Sequence, residues 1–200
     1  MMKMKYPAIF GFYGKSGSGK TTLIEQLIKH LKKEKYKVAT IKNSNKNIQI
    51  DKRGKDTWRH AKAGAELNVL NCQNETVFFI KTNLPSTVII DLISELNVFD
   101  VILIEGAKDP DLPKIRIGDI KFRENTIIDY KDNMGEIIKI IKDEIDKLKK
   151  ISHKISVFVN GKKVPISEFP ASIIKNGIMG MLFSLKGVAT IKNVKIQFSI

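Results

Sequence analysis

One loop constrains this chain more than any other feature: Gly14-Lys15-Ser16-Gly17-Ser18-Gly19-Lys20-Thr21, followed by Thr22 and an apolar-periodic run. It fits G-x-x-x-x-G-K-[ST], a pattern that works only where an apolar strand enters the loop and a helix leaves it. Both flanks are present. "AIFGFY" (8–13) reads as a buried strand, and "TLIEQLIKHLKK" reads as a helix with Leu23, Leu27 and Leu31 on one face. The glycines let the backbone curl so that successive amides face an anion, and the helix N-terminus adds its positive end. In such a loop the lysine, here Lys20, reaches the β- and γ-phosphates, and the hydroxyl of Thr21 binds Mg²⁺. A nucleoside triphosphate site at a strand-to-helix turn is therefore predicted.

The remainder alternates in the same way. Residues 37–42, 67–71, 76–81, 100–105, 114–118 and 125–130 read as strands, and 57 to about 65, 86–96 and 134–150 as helices, with Ser86 placed to cap the second of these after Pro85. Central strands that are apolar on both faces predict an α/β P-loop NTPase fold, a mostly parallel sheet with helices on both faces. Ligands bind such sheets at the carboxyl ends of the strands, where the glycine loop lies. After Lys150 the pattern shifts to an alternating hairpin around Asn160-Gly161, a partly helical stretch and a last alternating run. The division expected is a nucleotide-binding domain over 1–150 and a small basic ββαβ unit over 151–200, the latter with seven Lys and one Glu.

Composition narrows the class. Apolar residues make up 42% and charged residues 28% of the 200, ordinary values for a globular chain. No apolar run approaches the roughly 18 residues of a membrane span. The N-terminal apolar stretch is too short before its glycines for a signal peptide, and the single Cys72 fits a reducing compartment, so a soluble cytoplasmic protein is expected. The net charge of +14 comes from lysines scattered along the whole chain with few aromatics between them. That is a solvated basic surface rather than a nucleic-acid footprint.

Two acidic positions complete the predicted site. In "VILIEGAK", four apolar residues deliver Glu105 to the sheet edge, as in a Walker B strand that brings a carboxylate to Mg²⁺. In "IDKRGKDTWRHAKAGA" (50–65), Asp51, Arg53, Lys55 and Asp56 fall in a polar loop where P-loop proteins keep residues that sense the γ-phosphate. Asp51 or Asp56 can hold Mg²⁺ or orient water, with Lys55 beside them; either can instead cap a helix, and Asp56 is well placed for that. Lys15 occupies the position where one branch of P-loop proteins carries a lysine that reaches the nucleotide across a dimer, although a solvated lysine is the simpler reading in this chain. Trp58 reads as core and His60 as surface; His30, His60 and His153 are dispersed and suggest no metal cluster.

Together, "GKSGSGKTTLIEQL", "IKNSNKNIQIDKRGKDTWRHAKAGA" and "VILIEGAKDPDLPKIRI" resemble the molybdopterin-guanine dinucleotide biosynthesis adapter family, MobB, over roughly residues 6–145. The D-x-x-G-K-D-[ST] block followed by A-G-A, and the E-G-x-K block followed by K-I, carry the resemblance beyond the generic loop. It implies a GTP-binding protein with Mg²⁺ and feeble hydrolysis. It also implies a homodimer that partners with the molybdenum cofactor guanylyltransferase, the enzyme that joins GMP to molybdopterin. Residues 151–200 lie outside the family's minimal form; their basic charge suits the molybdopterin cofactor or a partner enzyme, and a stabilising or dimerising role is the alternative. Carried over by position, Gly14, Lys15, Ser16, Gly17, Ser18, Gly19, Lys20, Thr21 and Thr22 would cradle the phosphates. Asp51, Gly54, Lys55 and Asp56 would form the loop beside them, and Glu105 would be the Walker B carboxylate. The chain departs from relatives at Asn43, Ser44 and Asn45, where histidines are frequent, and Asn45-Lys46-Asn47-Ile48 lacks the acid of the guanine-reading motif N-K-x-D. A small-molecule kinase would use the same loop with an arginine-bearing lid, for which the chain offers Arg53, Arg59, Arg116 and Arg123.

Overall fold

The structure is a computed structural model of the whole chain; it describes residues 7–46, 48, 50–150, 157–160 and 162–185. Chain contacts divide it into two units, Met1–Lys150 and Ile151–Ile200.

The first unit is built on five parallel strands: β1 (Ala8–Gly14), β2 (Val38–Lys42), β5 (Val101–Glu105), β6 (Lys114–Ile117) and β7 (Thr126–Tyr130). They lie in the order β2-β5-β1-β6-β7, with β1 at the centre. The alternation within β5 shows why helices cover both faces. Val101 and Leu103 join one core with Leu23, Leu27 and Leu31 of α1 (Lys20–Lys33) and Ile137, Ile141 and Ile145 of α4 (Met134–Lys150). Ile102 and Ile104 face the other way, packing with Ile41 and with Ile90 of α3 (Ser86–Glu95). All four β5 side chains are fully buried, as strands between two helical layers require.

The runs at 67–71 and 76–81 form strands, but not in this sheet. β3 (Leu67–Asn71) and β4 (Thr76–Ile80) pair antiparallel as a separate two-stranded ribbon, with Leu67 opposite Ile80 and Val69 opposite Phe78. These four side chains share one ribbon face, and all four are exposed. Helix α2 runs Asp56–Lys62, shorter than the stretch expected to reach 65. Helix α3 has Pro85 as its N-cap, so Ser86 is its first helical residue; the Ser86 hydroxyl accepts a hydrogen bond from Asn43 Nδ2 instead, at 3.3 Å.

In the second unit, β8 (Val157–Val159) and β9 (Lys162–Val164) form the expected hairpin, with Asn160 in the left-handed region at its turn (φ 50°). Helix α5 (Glu168–Phe183) follows. The last strand of the expected ββαβ unit lies outside the described residues. No described helix is long and apolar enough to cross a membrane.

Candidate functional site

The register of the sheet assembles the site. Phe12 stands opposite Glu105 on β5 on one side and opposite Ile115 on β6 on the other. Two residues on, Gly14 ends β1, and the chain turns into the loop. A β-carbon on Gly14 would lie 2.4 Å from the Ile117 carbonyl oxygen and 2.6 Å from Ser18 Oγ, so only glycine lets the loop fold this tightly against β6. Gly17 and Gly19 sit at φ 76° and 86°, the left-handed conformation that side-chain-bearing residues avoid. Gly19 is the N-cap of α1, and Lys20 its first residue.

Lys20 arches back over the loop. Its Nζ donates to the carbonyls of Gly14 (3.1 Å) and Lys15 (2.5 Å), which sets the ammonium above the curl of the backbone. Ser18 Oγ is buried with no hydrogen-bond partner. A buried hydroxyl without a partner costs free energy, and this one lies in the loop whose amides and helix terminus favour an anion. The tight curl at Gly14 and the orphaned hydroxyl both fit a phosphate group. Lys15, Ser16 and Gly17 are exposed along the loop, and Thr22 is exposed on the first turn of α1.

The other side of the loop faces β5. Thr21 Oγ1 donates to Glu105 Oε1 at 3.0 Å, and Lys42 Nζ at the end of β2 lies 3.4 Å from the same oxygen. Lys42 lies opposite Glu105 in the β2–β5 register. Mg²⁺ is held in such sites by one or two protein oxygens, phosphate oxygens and water, and Thr21 with Glu105 meets that description. Among the described residues no group of three or more His, Cys, Asp or Glu gathers elsewhere as a metal site.

The 51–56 loop is organised around its helix. Asp51 Oδ1 accepts from Thr57 Oγ1 at 2.9 Å, fastening the loop to the start of α2. Lys55 is the N-cap of α2 and Asp56 its first residue, exposed and 3.8 Å from Arg59 Nη1. The structure thus brings the glycine loop, Thr21 and Glu105 together; the hydrogen bond and ion pair formed by Asp51 and Asp56 run to α2. Trp58 is half-buried, its ring covered by Arg53 (5.9 Å) and Lys62 (5.5 Å) rather than by an apolar core, and His60 is exposed. His153 lies outside the described residues.

Sequence reasoning missed three neighbours. Asn43 follows β2; its amide N–H donates to the Glu105 carbonyl (2.9 Å), and its side chain reaches Ser86, holding the ends of β2 and β5 together beside the site. Lys42 could have been found from its place at the carboxyl end of a strand. Lys114, at the start of β6, is fully buried, and its Nζ donates to the carbonyls of Pro110 (2.9 Å), Leu112 (2.7 Å) and Glu124 (2.8 Å). Burial pushes its pKa below the ordinary lysine value, opposed by Asp109 and Glu124 nearby. It clamps the segment that follows Glu105 onto the sheet.

A parallel sheet flanked by helices, with a glycine loop closing onto a lysine and a hydroxyl beside a carboxylate at the end of the neighbouring strand, defines a P-loop NTPase fold. Comparison with known proteins narrows this further. The family model described as molybdopterin guanine dinucleotide synthesis protein B, MobB, matches residues 9–143, and the chain belongs to that family. A Methanocaldococcus jannaschii protein named as a putative molybdopterin-guanine dinucleotide biosynthesis adapter protein is 29% identical, the match spanning 96% of this chain and 97% of the relative. The adapter protein of Haemophilus influenzae is 40% identical over 54% of this chain and 61% of its own length. Among solved structures, Bacillus subtilis MobB superposes with a TM-score of 0.54 at 20% identity, over 68% of this chain and 97% of its own, which supports the fold.

Proposed function

We propose that this protein is a GTP-binding adapter of molybdopterin guanine dinucleotide biosynthesis, serving molybdenum or tungsten cofactor. It binds GTP with Mg²⁺, hydrolyses it slowly, and assists the guanylyltransferase that joins GMP to molybdopterin. The observation that carries the nucleotide part is the Thr21–Glu105 hydrogen bond beside the glycine loop, because it sets a metal-binding hydroxyl and a carboxylate where the phosphates would end. The adapter part rests on family membership and on the names of the relatives.

In this reading the loop amides and Lys20 bind the β- and γ-phosphates, and Ser18 Oγ gains the partner it lacks. Mg²⁺, bound by Thr21 and Glu105, would neutralise phosphate charge. Asp51, Lys55 and Asp56 lie on the segment that follows β2, which changes its order when the γ-phosphate is present, and the ordered surface engages the partner. The exposed apolar face of the β3–β4 ribbon supports a homodimer: Leu67, Val69, Phe78 and Ile80 form a stripe that a second copy would cover. A small-molecule kinase is less well supported, because Arg116 is committed to Asp129 and Arg123 to the Ala107 carbonyl, which leaves only Arg53 and Arg59, both exposed, of the four arginines for a lid.

Capture of a molybdenum cofactor guanylyltransferase by the immobilised chain tests the proposal. Association is expected with a non-hydrolysable GTP analogue and Mg²⁺, reduced with GDP and lost with Lys20→Ala. Association indifferent to nucleotide would contradict it.

A further inference from the structure

The glycine loop, Thr21 and Glu105 account for phosphates and metal and leave the base without a partner. The strand register shows where it must go. Gly14 lies opposite Ile117, and Ile117 lies opposite Tyr130, so the ends of β1, β6 and β7 form one straight row. Neighbouring strands are about 4.8 Å apart, which puts Tyr130 two spacings, about 10 Å, from the start of the loop. That distance is comparable to the reach of a nucleotide from its α-phosphate to the far edge of its base. On the other flank of β1, Glu105 and Lys42 occupy the corresponding strand ends with the metal side of the site. The nucleoside therefore extends over β6 toward β7. Gly118 follows β6 directly in the left-handed region (φ 72°), and a β-carbon there would lie 3.6 Å from Ser18 Cβ, so the chain leaving β6 runs against the phosphate loop.

The row ends in residues 131–133, between β7 and α4. Asn133 is occupied: its Nδ2 donates to Glu136 Oε2 (3.0 Å), its Oδ1 accepts the Lys131 amide (2.9 Å), and its carbonyl accepts amides of the first turn of α4. Asp132 is exposed, at φ 59°. The Tyr130 hydroxyl donates to its Oδ1 over a long 3.4 Å. Its carboxylate offers two acceptors side by side. Guanine presents two donors side by side, N1–H and N2–H₂, whereas adenine presents an acceptor at N1, which a carboxylate repels.

Resting on the nucleotide-binding reading above, we infer that Asp132 is the residue that selects guanine over adenine, at the carboxyl end of β7 rather than in the Asn45-Lys46-Asn47-Ile48 stretch. The base lies across the β6 and β7 ends with its donor edge against this carboxylate.

Asp132→Asn is the informative variant, because asparagine tolerates the left-handed backbone as aspartate does. Xanthine carries an oxo group where guanine carries N2–H₂; an amide accepts from its N1–H and donates to that oxo group. Calorimetric titration of GTP, XTP and ATP with Mg²⁺ into the full chain, its Asp132→Asn variant and its Lys20→Ala variant separates the possibilities. GTP binding is expected to weaken about 10- to 100-fold in Asp132→Asn, as loss of a charge-assisted hydrogen bond implies. XTP binding should strengthen, and ATP binding should stay as it was. A wild-type preference for GTP that Asp132→Asn leaves unchanged would overturn this inference and leave nucleotide binding standing. Equal binding of GTP and ATP by the wild-type chain would overturn the inference and the preference for GTP while leaving a nucleotide site; triphosphate binding unchanged in Lys20→Ala would overturn both.

Discussion

The hydroxyl of Thr21 donates to Glu105 Oε1 across 3.0 Å, joining the first turn of α1 to the last residue of β5, and Lys42 shares the same oxygen from 3.4 Å. Two donors thus already converge on the carboxylate that Mg²⁺ would engage, so metal entry exchanges one set of charges for another. Glu105→Gln keeps the shape and removes the charge. It is expected to raise the Mg²⁺ concentration needed for triphosphate binding by about 10-fold, the cost of one charged contact. Binding measured without Mg²⁺ should change little. A Mg²⁺ titration followed by a fluorescent GTP analogue reads both.

Ser18 gives a prediction with opposite signs in the free and bound states. Its Oγ is buried and unpartnered, so Ser18→Ala removes a desolvated hydroxyl and is expected to leave the free protein as stable as before, or more stable by about 1 kcal/mol. If the hydroxyl is satisfied by a phosphate oxygen, the same variant loses that contact. The thermal shift produced by saturating GTP and Mg²⁺ should therefore shrink while the ligand-free melting temperature holds or rises. Paired melting curves decide it.

The two halves of the site differed in how far the sequence disclosed them. Gly14, Gly17 and Gly19 were legible because backbone geometry demands glycine there, and β5 because burial on both faces demands an unbroken apolar run. Lys114 was not: in a chain rich in lysine nothing marks the one whose ammonium is enclosed by carbonyls from 110, 112 and 124, since that cage exists only after folding. Ser86 read as a cap from its place after Pro85, but its hydroxyl turns to Asn43, a partner 43 residues away in sequence. The alternation in 67–71 and 76–80 disclosed strands without disclosing that they pair with each other and not with the five-stranded sheet, because period alone does not name a neighbour.

That isolated ribbon supplies a test of assembly. Val69 and Phe78 face each other across the β3–β4 pair, and both are exposed. A charge there is solvated in a monomer and desolvated in an interface. If a second copy covers the stripe as proposed, Phe78→Asp shifts the protein from dimer to monomer at micromolar concentration while its unfolding midpoint in a dilute monomeric sample stays near the wild-type value; a wild-type chain already monomeric there would overturn the dimer. Sedimentation equilibrium measures the first and denaturant titration the second.

Lys114 holds three carbonyls, and its replacement by methionine keeps the apolar stem while removing the donor from Leu112 and Glu124; the Pro110 oxygen keeps its hydrogen bond from Asn125 Nδ2 (2.8 Å). An unsatisfied carbonyl away from water costs about 1–3 kcal/mol, and Leu112 is the half-buried one of the pair while Glu124 is exposed, so Lys114→Met is expected to destabilise by about 1–3 kcal/mol. Because the 106–113 segment follows Glu105 directly, hydrogen exchange there should rise more than in α1. A uniform rise across the unit would mean that the lysine serves the fold as a whole and not that segment.

Two carboxyls with depressed pKa values shape the acid limb of stability, Glu34 beside Lys142 and Asp129 beside Arg116, and the second pair gives the sharper test. Arg116 Nε and Nη2 donate to Asp129 Oδ1 (2.6 Å) and Oδ2 (2.5 Å), a bidentate clamp between β6 and β7. The hydrogen bonds from Arg116 are the main reason the Asp129 carboxyl is held below the ordinary aspartate range. A carboxyl whose folded pKa is depressed contributes stability above its unfolded pKa, and that contribution is lost as pH falls through the folded value. The window therefore opens at the ordinary aspartate pKa, near 3.8, and extends downward. Asp129→Asn is expected to lower the melting temperature at neutral pH and to flatten its fall in that acid window. The wild type should lose the difference between the two as the window is crossed. Melting curves of both proteins from pH 7 down to about 2 test this; a constant gap between them across the whole range would show that the Arg116–Asp129 clamp is not what titrates.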